Sequence, residues 1–300
     1  MLYNLGSINL DHFYRVPHLV GPGETLASHD YRVGLGGKGA NQSLAMARAG
    51  GTLCHWGRLS RQDAWARDTL ARAGVDVTGV ELVDEPSGHA VIQVDDQGEN
   101  AIILFPGANH GFRAPGLAAL LAGTAPGDWL LLQNECNGLD QLIPLAADHG
   151  LRIAFNPAPM TEAVLELPLS RCQLLFVNRP EAAQLAGQAL TSEAEALLDG
   201  LARTLPTCET VLTLGGEGAW YQHGGQRRHQ PALPVRPVDT TAAGDTFIGY
   251  YLAALQAGHP VAECLRRAAT AAALGVQRPG AAESIPGGDE VERALRDGLA

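Results

Sequence analysis

One lysine, Lys38, stands among 21 basic residues, and 32 acidic residues outnumber them to leave a formal net charge of −11. Nucleic acid is bound by releasing counterions to Lys and Arg clusters, so no nucleic-acid partner is expected. Cysteine is scarce too. Cys54, Cys136, Cys172, Cys208 and Cys264 are odd in number, scattered and without a C-x-x-C pair, which speaks against a disulfide framework or a zinc site and for reduced thiols in the cytoplasm. No apolar run reaches the ~18 residues of a membrane span, and the N-terminus lacks a basic segment leading into an apolar one. A cytoplasmic protein without a membrane partner is the expectation. Aromatic residues make up only 5% of the chain, leaving few candidates for ring stacking.

What is present is an ordinary globular balance, 46% hydrophobic and 18% charged. Short apolar segments end in polar residues: Leu2 to Asn9, Trp129 to Gln133 before Asn134-Glu135, Arg152 to Phe155 before Asn156-Pro157, Leu174 to Val177 before Asn178, and Val211 to Leu214 before Gly215-Gly216. Helical patterns such as Leu139 to His149 and Glu193 to Leu205 lie between them. The alternation predicts an α/β, three-layer domain with a largely parallel central sheet covered on both faces. In such sheets ligands bind beyond the carboxyl ends of the strands, which is where Asn9, Glu135, Asn178 and Gly215 fall. From Gly88 to Asp95 and Ala101 to Phe105, β-rich runs flank a Gly-containing turn, a hairpin that with Tyr31 to Val33 predicts a small β-sheet lid. The chain divides on this reading into a core of residues 1–11, 41–87 and 107–300 and a lid of 12–40 and 88–106.

Two motifs carry chemistry. Gly34-Leu-Gly-Gly-Lys-Gly-Ala-Asn-Gln42 runs into an Ala-rich helical stretch. It fails as a P-loop, which needs Gly at position 32 and Ser or Thr at 39. It matches a dinucleotide fingerprint formally through Gly34, Gly36 and Gly39, but the strand before it is poor and no strand closes with an acidic residue at the expected distance. A third reading has the glycines bringing backbone N–H groups near a sugar hydroxyl, with Asn41 offering donor and acceptor. A tight turn and helix cap would account for Asn41 and some of the glycines, though not for four of them in six positions. Compositional drift toward Arg accounts for the lone Lys38 at least as well as a selected role does.

The second motif is Val238-Asp-Thr-Thr-Ala-Ala-Gly-Asp-Thr-Phe247, followed by an apolar helix. Small residues from Ala242 to Gly244 leave first-turn N–H groups uncovered at the positive end of a helix, an anion hole suited to a phosphoryl group in transfer. Asp245, on that first turn, is placed to take the proton of an attacking alcohol. Alternatively it only complements the helix dipole, with Asp239 or Thr240 as a cap; the residues alone leave both open.

Gly36-Gly-Lys-Gly-Ala-Asn41 and Asp239-Thr-Thr-Ala-Ala-Gly-Asp245, in this order and about two hundred residues apart, together resemble the paired signatures of the ribokinase-like (phosphofructokinase B type) carbohydrate kinases. Gly6-Ser-Ile-Asn9-Leu-Asp11, Gly98-Glu-Asn100, Pro106-Gly-Ala-Asn109, Asn156-Pro-Ala-Pro159 and Asn178-Arg-Pro-Glu181 extend the resemblance along nearly the whole chain. It implies ATP-dependent phosphorylation of the terminal hydroxymethyl of a pentose, D-ribose foremost, by in-line transfer. By position, Asn9, Asp11, Gly36, Gly37, Asn41 and Glu135 would hold the sugar, and Ala90, Ile92 and Ile102 would close over it. Asp245 would be the base, and the backbone of Ala242, Ala243, Gly244 and Asp245 would hold the transferred phosphoryl. Asn178 and Glu181 would organise Mg2+ through water, and Thr213, Gly215 and Gly218, with Asn178 and Gly244, would border the nucleotide. A monovalent cation, K+, would sit at Asp239, Thr241, Gly275, Arg278, Gly280 and Ser284. The exposed lid implies a homodimer formed through paired lids.

Two departures from the family pattern are Cys136-Asn137 after the glutamate and Pro279 in the cation loop. Other acceptors, such as deoxyribose, fructose or pseudouridine, and a sugar-binding sensor without activity remain as alternatives. The intact Asp245 and its bare helix start weigh against the sensor, since binding sugar requires neither.

Overall fold

The computed structural model describes residues 1–298. Nine strands form the main sheet in the spatial order Gln226–Gln230, Ala219–His223, Glu209–Thr213, Leu174–Asn178, Arg152–Asn156, Trp129–Gln133, Leu2–Leu5, Leu53–Ser60 and Asp76–Val83. All neighbours pair in parallel except the first two strands of that order, which close one edge as antiparallel ladders. Side chains alternate across each strand. Leu131, Ala154, Leu174, Phe176 and Val211 therefore enter one apolar cluster, while Leu130, Leu132, Ile153, Phe155, Leu175, Val177 and Leu212 enter another on the opposite face. Helices cover both faces, giving the three layers that the alternating pattern predicts.

Chain order reverses at Leu2–Leu5: later strands add first on its Leu53–Ser60 side and then on its Trp129–Gln133 side. A crevice opens where neighbouring crossovers diverge in this way. Ser7, just past the first strand, meets Glu135, just past the Trp129–Gln133 strand, and donates to Glu135 Oε2 at 2.5 Å.

The segment Leu2 to Asn9 is not one strand, as its continuous apolar character suggests. Pairing in the main sheet stops at Leu5; Gly6 N–H donates to Trp56 O, and from Asn9 the chain pairs instead with Gly36 and Gly88 in a second sheet. That sheet is the lid, with the order Asp30–Gly36, Asn9–Arg15, Gly88–Val94, Asn100–Phe105. It takes in Asn9 and Asp11, ahead of the expected boundary at 12, and its second strand ends at Gly36 because the helix Lys38–Arg48 follows at once. Phe105, at the end of the lid, stacks on His89, on the face opposite Asp11 and Ala90.

Two helices, Lys38–Arg48 and Ala243–Gln256, cross on one face of the main sheet. Gly249 permits the crossing. A Cβ there would stand 2.5 Å from Ala45 Cβ and 2.7 Å from both Gln42 O and Met46 N. Alanine normally favours a helix over glycine, but overpacking a rigid contact costs about 1–3 kcal/mol. Gly249→Ala should lower the urea midpoint of unfolding despite the gain in propensity; a raised midpoint would mean that the helices have room to spare.

Candidate active site

The helix Ala243–Gln256 begins from Ala242, which takes a left-handed conformation, φ 58°, and is the one non-glycine residue with positive φ among those described. Such a residue is strained, and strain kept at a helix start points to a purpose. The turn leaves the N–H groups of Ala242, Gly244 and Asp245 without a protein acceptor, while Ala243 N–H donates to Thr240 O at 3.2 Å. Asp245 is buried on this first turn, and its two carboxylate oxygens are held separately: Asn41 Nδ2 donates to Oδ2 at 3.1 Å and Gln42 Nε2 to Oδ1 at 2.8 Å. Burial pushes the Asp245 carboxyl above its ordinary value, while Lys38, Gln42 and Asn41 pull it back.

Asn41 and Gln42 are on the helix that follows the glycine loop. Gly36 has no room for a side chain, because a Cβ would lie 2.1 Å from Asp11 Oδ2, and Gly37 sits at φ 90°. The loop is fixed from below by Glu135, whose Oε2 also accepts from Lys38 N–H at 2.9 Å. Asn9 is buried and accepts from Asn109 Nδ2 at 2.7 Å; Asn109 also bonds both main-chain groups of Ile8. Burial, reinforced by Glu135 and Glu283 and opposed by Arg32, pushes the Asp11 carboxyl up to about 6. Asn41 Oδ1 is buried and free of any partner, an acceptor left for a ligand. Ala90 and Ile92 are buried in the lid beside Asp11, but Ile102, opposite Ile92 in the ladder, is 57% exposed.

On the far side of Asp245 lie two cavities that share Thr213, Thr240, Ala243 and Gly244. One, of about 230 Å³, is lined by Lys38, Asn178, Glu181, Gly244 and Asp245 among others. The second, of about 310 Å³, has a largely apolar lining that includes Gly215, Gly218, Val235, Phe247 and Ala272. Asn178 caps the helix Arg179–Ala186: its side chain accepts from Glu181 N–H at 3.0 Å, and Glu181 bonds back to the Asn178 main chain and amide, each at 2.9 Å. Asn178 is thus a helix cap, and the same two residues also line the cavity. Burial raises the Glu181 carboxyl above its usual range.

The proposed cation loop is assembled. Asp239 accepts from Thr241 N–H at 2.9 Å and Oγ1 at 2.6 Å, and from Gly280 N–H at 2.9 Å. Gly275 lies against the Ser284 carbonyl, Ser284 Oγ donates to Ala281 O, and the Arg278 side chain turns away to Glu290.

Lys38, noticed for its solitude but given no role, proves central. Burial works against its ammonium, but Asp245, Glu135 and Glu181 together outweigh that and hold its pKa above the ordinary value. Gln42 and Asn109 were inside quoted motifs without roles, and only the close packing of distant segments reveals them. Arg32, also unassigned, shares the Asp11 face of the lid sheet and lies 4.1 Å over the Phe13 ring. The departure at Cys136-Asn137 is structural: Cys136 is buried, and Asn137 bonds both main-chain groups of Phe112.

This fold has close counterparts. The pfkB family of carbohydrate kinases matches residues 1–287. A ribokinase from Haemophilus influenzae is 35% identical over 288 residues, covering 94% of each chain. Ribokinase from Cryptococcus neoformans, solved in complex with ADP, superposes with a TM-score of 0.86 at 34% identity, covering 98% of this chain and 99% of that one. Ribokinase from Arabidopsis thaliana, solved with ribose and ATP, gives a TM-score of 0.86 at 28% identity, with 98% of each chain covered. From its first strand to the helix start that carries Asp245, this chain belongs to the pfkB family of carbohydrate kinases.

Proposed function

We propose that this protein transfers the γ-phosphoryl group of ATP to the terminal hydroxymethyl of a pentose, with D-ribose as the acceptor. The observation that carries the reading is the position of Asp245, bonded on one side by Asn41 of the glycine-loop helix and lining on the other a cavity of about 230 Å³, beside main-chain donors with no acceptor among the described residues. The ribose and ATP bound by the Arabidopsis ribokinase support the pairing of substrates. Asn9, Asp11, Gly36, Gly37, Asn41 and Glu135 would surround the sugar, and Ala90, Ile92 and Ile102 would approach it from the lid. Phe105 is turned away from that pocket, which favours a sugar over a nucleoside acceptor.

In the reaction, the sugar oxygen bonds to the γ-phosphorus as the bond to the bridging oxygen of ADP breaks, and the hydroxyl proton passes to Asp245. The charge spreading over the phosphoryl oxygens meets the N–H groups of Ala242, Gly244 and Asp245 and the Lys38 ammonium. Thr213, Gly215 and Gly218 would border the nucleotide. Among the described residues no group of three or more His, Cys, Asp or Glu gathers to bind a metal. Asn178 and Glu181 would hold Mg2+ through water, where it would neutralise phosphate charge. K+ would be held by carbonyls of the Asp239, Thr241, Gly275, Arg278, Gly280 and Ser284 loop. The five cysteines are free and buried, in keeping with a reducing cytoplasm.

A sugar panel with MgATP, read by ADP release, should single out ribose in potassium buffer and slow in choline; ADP release that ignores the sugar would overturn the kinase reading, and equal rates in the two buffers would remove the K+ site. Asp245→Asn should lower kcat by at least ~100-fold, the scale of a positioned general base, while ribose still binds.

Asp11 gives a pH test. Its proton is held more tightly in the fold than in the unfolded chain, so its contribution to stability is full below the ordinary carboxylate range and lost as pH rises through about 6. Asp11→Asn should therefore stabilise the free protein by on the order of 1–3 kcal/mol at about pH 8 and by nothing near pH 4, while weakening ribose binding. Equal unfolding free energies of the two proteins at about pH 8 would contradict this.

The last lid strand is an open edge on which Ile102, Ile103, Leu104 and Phe105 are all exposed, the pattern of an edge that pairs with another chain. We read the protein as a homodimer through its lids. Ile103→Asp should halve the mass measured by light scattering; a parent protein that is already monomeric at micromolar concentration would refute the dimer.

A further inference from the structure

Gln42 is fully buried and lies between Asp245 and a train of amides that leads away from the site. An amide presents an oxygen or a nitrogen depending on which way it faces, and neighbours with a single possible role decide which. Three main-chain carbonyls act as such neighbours here.

Asn4 Nδ2 donates to Gly39 O at 2.9 Å, which leaves Asn4 Oδ1 as an acceptor. Gln133 Nε2 must then donate to Asn4 Oδ1, at 3.0 Å, and its second hydrogen goes to Gln42 Oε1 at 2.8 Å. That fixes Gln42 with its nitrogen toward Asp245 Oδ1, at 2.8 Å.

A branch reinforces the chain. Asn4 Nδ2 also donates to Ser43 Oγ at 2.7 Å, and Ser43 Oγ lies 2.8 Å from Nδ1 of the fully buried His55. His55 Nε2 lies 3.1 Å from Gly6 O, which can only accept, so Nε2 carries the hydrogen and Nδ1 receives that of Ser43. On the other flank, Asn156 Nδ2 donates to Phe176 O at 3.0 Å, so its Oδ1 accepts the remaining Gln42 hydrogen at 3.3 Å. A reversed Gln42 amide would set oxygen against both Asp245 Oδ1 and Asn156 Oδ1.

We infer that Gln42 is the positioning residue of the phosphoryl-transfer base: its amide, locked in one orientation by a hydrogen-bond chain anchored on Gly39, Gly6 and Phe176, fixes the rotation of the Asp245 carboxylate and favours its ionised form. The inference rests on the reading of Asp245 as the base. Asn41 bonds the other oxygen but keeps its own Oδ1 free, so it faces a ligand as well; Gln42 reaches none of the cavities and has the carboxylate as its outlet. Burial holds His55 down to about 4, so the branch stays neutral over the working range. The charged groups around Asp245 are Lys38, Glu135 and Glu181, and none of them contacts Gln42.

Gln42→Met keeps the volume and removes both hydrogen-bonding groups. With saturating ribose and MgATP, kcat should fall by about tenfold or more while both KM values stay within about threefold, and the acid limb of the kcat–pH profile should move to higher pH, because the carboxylate has lost a donor to its charged form. A role confined to stability would lower the unfolding midpoint and leave kcat and the limb where they are, which overturns the inference. Gln133→Leu removes the donor that anchors Gln42 Oε1 without touching Asp245, leaving the amide held only through its nitrogen, and should give a smaller fall with a shift of the same sign. If Gln42→Met does not fold, Gln133→Leu decides: unchanged kcat and an unmoved limb overturn the inference. Asp245→Asn, assayed alongside, separates the two levels. Parent-like turnover there removes the base itself, whereas loss there with normal Gln42→Met turnover removes only the positioning role.

Discussion

Everything in this molecule that concerns catalysis depends on the crossing of two helices at a glycine. Asn41 and Asp245 are 204 residues apart in the chain, yet their side chains bond because the helix after the glycine loop lies against the helix after the bare turn at Ala242. The contact is close enough that Gly249 has no space for a methyl group. Interiors packed this tightly transmit displacement rather than absorb it. The contact therefore fixes the early loop against the late helix start, and on the proposed function it sets the acceptor against the anion hole.

The electrostatics follow the same economy. Asp245, Glu135 and Glu181 converge with one ammonium among them, that of Lys38, which is the single lysine of the chain. Desolvation alone would keep a buried aspartate protonated and useless as a base. Here neutral amides share the task with the ammonium: Asn41 and Gln42 donate to the two oxygens without adding charge that a triphosphate would have to displace. The same amides hold the carboxylate still, so less reorganisation remains when the proton is transferred.

The three layers, the parallel sheet, the hairpin of the lid and both motifs were legible because each rests on local pattern: strand alternation, a glycine at a turn, a small-residue helix start. The strand Asn9–Arg15 was not, since an apolar segment carries no mark of which sheet it pairs in, and the break at Gly6 to Ile8 is decided by Trp56 and Asn109 from elsewhere in the chain. Gln42 stood in plain view beside Asn41, but a buried glutamine is indistinguishable from a surface one until its neighbours are known. Asn178 and Glu181 show the converse. A cap and a site residue are spelled alike, and here the capping pair also lines the cavity beside Asp245.

The sugar side has an asymmetry that bears on what it can accept. Asp11 comes from the lid, Glu135 from the main sheet and Glu283 from the loop before the last helix, and burial together with the two glutamates raises the cost of ionising Asp11 at the junction of lid and core. Arg32 offsets this only in part, with its guanidinium lying over Phe13 and its field reaching toward Asp239. An acceptor that brought its own phosphate would add to the repulsion. A neutral polyol would do the opposite, because its hydroxyls can donate to a carboxylate such as that of Asp11 without bringing a charge. On the proposed function, an acceptor site of this kind would favour a neutral molecule before it distinguished among sugars, in keeping with the excess of acid over base that marks the whole chain.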